Sequence, residues 1–134
     1  MKESIDIKKI SEHWIETSDK DFETMNHLYG TKDYNWALFM GHLVIEKLLK
    51  ACVTTATGEH APLWHDLLRL AKVAEIDLSA EYADWLDVIT TFNINTRYDS
   101  YKQDFYKKCT PEFTDEWMKR IITLRTWIKN TQLN

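Results

Sequence analysis

The chain has 134 residues, a formal net charge of −4 and an apolar share of 44%. That is enough for one domain with its own core, and too acidic to coat nucleic acid through bulk charge. Three Gly and two Cys exclude a turn-rich sandwich or barrel and a disulfide framework, so the chain reads as one all-α domain over 1–134, reduced and cytoplasmic.

The opening "MKESIDIKKI" lacks the apolar stretch of a signal peptide. No run reaches the roughly 18 apolar residues of a membrane span, so none is expected. Punctuation near Gly30, Gly58–Pro62, Asp77–Ser79 and 95–112 divides the chain into five helical segments. The first runs from about Ile7 to Tyr29, with Ile7, Ile10, Trp14, Asp21, Met25 and Leu28 on one face and Gly30 as its stop. The second, about Tyr34 to Thr57, has Asp33 before it as an N-cap and Gly58 after it. Trp36, Met40, Leu43, Lys47 and Ala51 form one row, and Leu38, Ile45, Leu49 and Cys52 another. A helix apolar around most of its circumference is a central one.

The third segment is short, about Leu63 to Ala74, and the fourth runs from about Ser79 to Thr96 with Tyr82, Trp85, Leu86, Ile89 and Phe92 inward. The fifth opens at "TPEFTDEW": Thr110 caps, Pro111 suits the first helical position and Glu112 complements the dipole. Phe113, Trp117, Ile121, Leu124 and Ile128 then repeat along one stripe. Short connections make neighbours antiparallel. The expected fold is an up-and-down bundle of four long helices plus one short helix.

No Gly-rich phosphate loop, nucleophile elbow, CxxC or HExxH is present. His42 and Glu46 share a helix face, as do Glu46 and Lys50. The spacing suits a structural pair on the helix surface better than a metal site, and no metal or cofactor is expected. His65 and Asp66 precede "LLRL" and read as a cap or a hydrogen bond to a neighbouring helix. Cys52 reads as a small core residue, Cys109 as a loop thiol without a partner, and Trp and Met at helical spacing as core.

The stretch "NTRYDSYKQDFYKKCTPE", Asn95 to Glu112, reads as a long connection. Arg97, Lys102, Lys107 and Lys108 alternate there with Tyr98, Tyr101, Phe105 and Tyr106. Arg suits bidentate phosphate contact and aromatic rings offer stacking surfaces. A connection this long in a compact domain is usually functional or disordered. The competing reading is an Arg97 and Tyr98 that only finish the preceding helix, with solvated lysines beyond.

These residues resemble a family. "WALFMGHLVIEKLLKA" (Trp36–Ala51), "HDLLRL" (His65–Leu70) and "NTRYD" (Asn95–Asp99) resemble successive blocks of HEPN domains, in order and at similar spacing, over about Ile7 to Ile128. The resemblance implies a helical bundle, often a homodimer. Many members pair with a nucleotidyltransferase-fold protein in toxin–antitoxin operons, and others are thought to bind nucleotides. One branch comprises metal-independent ribonucleases that need Arg, four to six residues, then His: the Arg would hold phosphate and the His would move protons. Here the corresponding positions hold Lys102, Gln103 and Asp104, and no His follows His65. An ordinary Lys pKa of about 10.4 suits proton shuttling poorly. In some silenced toxins a Tyr two residues after that His can be modified with AMP, and Tyr106 stands in that slot.

The expectation is therefore a non-catalytic module binding a nucleotide or RNA, acting with a nucleotidyltransferase-fold partner. Arg97, Tyr98, Asp99, Tyr101 and Lys102 are its first ligand candidates; Tyr106, Lys107, His65, Glu46 and Lys50 are a second rank. The alternatives are a divergent ribonuclease toxin, using Arg97 with Lys102, His65 or His42, and a pure interaction or dimerisation module.

Overall fold

A computed structural model describes residues 5–134. These residues form six helices and no strand: α1 (Ile7–Gly30), α2 (Tyr34–Thr57), α3 (Leu67–Val73), α4 (Ala80–Arg97), α5 (Asp99–Lys108) and α6 (Pro111–Thr131). None is long and apolar enough to cross a membrane.

The helix starts follow local chemistry. The Asp6 carboxylate accepts from Lys9 N, Asp66 from Arg69 N, the Ser79 hydroxyl from Tyr82 N and the Thr110 hydroxyl from Phe113 N. Each satisfies a first-turn N–H that has no partner within its helix. Capping by Asp66 moves the start of α3 from the expected Leu63 to Leu67. Gly58 ends α2 with φ 72°, a conformation that favours glycine. Gly30 is not the stop expected of it: it is the last residue of α1, and Lys32 takes the left-handed turn at φ 66°.

α2 is the central helix, packing on α1, α3, α4, α5 and α6. Its Ala37, Leu38, Val44, Ile45, Leu48 and Leu49 are fully or almost fully buried. Gly41 permits the approach of α6, since a Cβ there would lie 2.5 Å from Ile121 Cδ1. α1 packs on α2 through small residues as well as apolar ones. Ser18, fully buried, donates to Val44 O at 2.8 Å. The expected Ile7 is partly exposed. Along α6, Trp117, Ile121, Leu124 and Ile128 are buried as expected.

The stretch 95–112 departs most from expectation. It is not a long connection but mostly helix. α4 continues through Arg97, Tyr98 alone intervenes, and α5 follows. Phe105, 3% exposed, anchors α5 with its ring 5.5 Å from that of Phe92. Asp99 in the first turn and Lys107 and Lys108 in the last match the helix dipole. Cys109 is buried as the residue ending α5, rather than held in a loop, and burial pushes its thiol up to about 12.

Candidate functional site

The corner between α4 and α5 places Arg97 at the end of one helix and Tyr98 at the start of the next. The Arg97 Nε donates to Asn93 Oδ1 at 2.9 Å, one turn earlier on α4. The Asn93 amide nitrogen then donates to His42 Nδ1 at 3.3 Å. Since that amide nitrogen can only donate, His42 Nδ1 accepts, and the ring proton sits on Nε2. His42 Nε2 donates to the His65 carbonyl at 2.8 Å. His42 is fully buried, and burial holds its pKa below the ordinary value, so the neutral ring is the stable form.

Below His42 on α2 the polar column continues. Glu46 Oε1 accepts from His65 Nδ1 at 2.7 Å, and Glu46 Oε2 lies 3.3 Å from Lys50 Nζ. Lys50 in turn stands 5.2 Å from the centre of the Trp14 ring. Glu46 and Lys50 are 4% and 5% exposed. They are a buried pair, not the surface pair that their spacing resembles. His65 keeps half of its side chain in solvent.

The candidates on α5 divide by face. Asp99, Lys102 and Tyr106 line a groove of about 450 Å³ against Asp33, Asn35 and Trp36. Lys102 Nζ lies 5.5 Å from the Trp36 ring centre. Tyr101 turns toward a smaller hollow with Asn95 and Asp104, and Lys107 toward Lys32 and Tyr34 in a hollow that shares Asn35 and Tyr106 with the groove. Arg97 stands outside these hollows with its guanidinium 5.8 Å from the Tyr98 ring. No carboxylate among the described residues pairs with it. The first-rank candidates thus share one end of the bundle, while His65, Glu46 and Lys50 form a second cluster joined to Arg97 through Asn93 and His42.

Three residues escaped the sequence reading. Asn93 stands four residues before Arg97, a spacing that would have marked it as a partner. Trp36 reads as core from its helical spacing, yet it is 39% exposed. Asn35 gave no signal.

A model of the HEPN domain matches residues 11–131. The chain belongs to the HEPN domain family. The crystal structure of TT1696 from Thermus thermophilus superimposes with a TM-score of 0.76 over 90% of this chain and 96% of that one, at 17% identity; this likeness concerns the fold. A search of curated proteins finds no sequence match. In this HEPN domain, positions 102–104 all lie on α5 and hold no imidazole. His42 is fully buried and His65 is engaged with Glu46.

Proposed function

We propose that this HEPN domain is a non-catalytic module that binds a nucleotide or an RNA end through Arg97, as a homodimer acting with a nucleotidyltransferase-fold partner in a toxin–antitoxin-like pair. The state of Arg97 carries the reading. Asn93 holds Nε, which fixes the plane of the guanidinium, and no carboxylate among the described residues engages its terminal amines. Those amines form a donor fork that suits a phosphate. Tyr98 and Lys102 supply a ring and a second cation at the same end. The absence of an imidazole on α5 argues for holding phosphate without cutting. Exposed Ile94, Tyr98 and Tyr101 give the same corner an apolar surface suited to a partner.

A thermal-shift screen with nucleotides and short RNAs tests this. Binding raises the melting temperature by mass action, and Arg97→Ala should remove the rise. Protection that survives Arg97→Ala defeats the proposal. RNA from the same tubes should stay intact on a gel. One observation favours a second reading: the half-exposed His65 is held by the Glu46 carboxylate, an arrangement able to move protons. RNA cleaved without metal, with cleavage lost in His65→Ala, would establish the ribonuclease reading instead.

A further inference from the structure

The groove between the start of α2 and α5 holds a side-chain amide that makes no hydrogen bond within the chain and whose polar atoms open to solvent. Asn35 is 6% exposed, it lines the groove, and its side-chain amide has no hydrogen-bond partner among the described residues. An amide without a partner in the chain and open to the groove is available to a ligand.

The remaining walls indicate what that partner is. Trp36, 39% exposed, presents part of its indole, with the Lys102 ammonium 5.5 Å from the ring centre and the Phe39 ring against it at 5.7 Å, edge to face. Side-chain acceptors outnumber cations: Asp33 and Asp99 bring carboxylates, Asn35 and Gln103 bring amide oxygens, and Lys102 is the one cation in the lining. A phosphate would meet repulsion from the two carboxylates. A flat heteroaromatic ring with an amino group meets a stacking face and several acceptors. Neither α2 nor α5 receives a side-chain cap, so first-turn N–H donors at these helix starts also remain without side-chain partners.

We propose that this groove is the base-binding half of the nucleotide site: an amino-bearing nucleobase stacks on Trp36 with its edge against the Asn35 amide. Lys102 leaves the indole face and moves toward the phosphate. The proposal rests on the reading of Arg97 as the phosphate holder, and the test separates the two.

Isothermal titration of the intact chain uses four probes: adenosine, AMP, uridine and ribose 5-phosphate. Asn35→Ala should weaken adenosine and AMP by about tenfold, the usual scale of a well-formed amide–base pair, and leave ribose 5-phosphate unchanged. Uridine, lacking the amino group, should bind about tenfold more weakly than adenosine. Asn35→Ala gives up no internal hydrogen bond, so its melting temperature without ligand should not fall. If it does fall, Trp36→Leu reads the same groove from its exposed side and should weaken adenosine in the same way.

AMP binding that depends on Arg97 but ignores both Asn35→Ala and Trp36→Leu overturns the base groove and leaves the phosphate reading intact. Adenosine binding that depends on Asn35, with AMP indifferent to Arg97→Ala, supports the groove and overturns the phosphate reading. Equal binding of uridine and adenosine overturns the amino-edge assignment. No binding by any probe overturns both.

Discussion

Two polar regions lie along this bundle, built from similar residues and in opposite states. The column on α2, His42, Glu46 and Lys50, is buried, and its members find partners within the chain. The corner made by Arg97 and α5 is exposed. Arg97 has one hydrogen bond there, and Lys102 only a ring contact. Side-chain type does not separate the regions; satisfaction does. A buried charged group must be paired within the fold, and so belongs to stability. An exposed cation with its donors unused is available to a ligand. Asn93 joins the two, taking its orientation from His42 and giving it to Arg97.

Breaking the column should have the largest effect. Glu46→Ala leaves the buried Lys50 ammonium without its carboxylate and releases His65. Removing one partner of a buried pair costs about 3–5 kcal/mol, a large share of the roughly 5–15 kcal/mol that holds a domain together. Urea unfolding should show this as a lower midpoint at constant slope. A loss below about 1 kcal/mol would mean that water reaches Lys50, and the contrast between the regions would fail.

The same comparison explains what the sequence made readable. Helices with several buried anchors or a local cap were plain, as at Thr110–Pro111 and Gly58. α5 was not, because it buries Phe105 alone among its own residues and amphipathic patterning needs several anchors. Its helicity depends on the contact with Phe92, which no local pattern records. Glu46 and Lys50 could not be recognised as buried, since i,i+4 spacing is the same on a surface and in a core. Trp36 failed for a related reason: on a helix apolar around most of its girth, periodicity cannot tell a core position from a groove wall. Arg97 stood out through its Arg-Tyr context, whereas Asn35 is defined by its place on a groove wall with no partner for its amide in the chain, which only a structure reveals.

A middle-sized effect comes from pH. Burial holds the His42 pKa below its ordinary value of 6.5, so folded and unfolded chains both carry a neutral ring above that pH. Below it the unfolded chain takes up a proton that the folded chain resists. Stability is therefore lost as pH falls from about 6.5 through the folded pKa, at up to about 1.4 kcal/mol per pH unit. Burial pushes Asp19 up, but hydrogen bonds from Lys129 and Arg125 hold it below 3.8, outside this window. Denaturant midpoints between pH 7 and pH 5 should decline in the wild type and decline less in His42→Gln. Parallel curves would show that the ring is not the group responsible.

The smallest effect sharpens the other side of the comparison. Lys107 sits in the last turn of α5 and lines a hollow with Lys32 and Tyr34 that adjoins the groove with Trp36 through Asn35 and Tyr106, without lining that groove itself. Its removal should leave stability within about 0.5 kcal/mol, as for other exposed positions without special contacts. Mononucleotide binding should also be unchanged, because Lys107 does not itself line the groove with Trp36. A longer RNA strand leaving the Arg97 corner would pass this cation, and losing one phosphate contact lowers the salt dependence of single-strand binding by about 0.7 in the log–log slope. Lys107→Ala with an unchanged oligonucleotide slope and unchanged AMP affinity identifies a mononucleotide-sized ligand. A reduced slope with unchanged AMP affinity identifies an RNA strand. A variant that loses AMP affinity as strongly as Arg97→Ala would erase the distinction between the faces of α5 and enlarge the site beyond the groove.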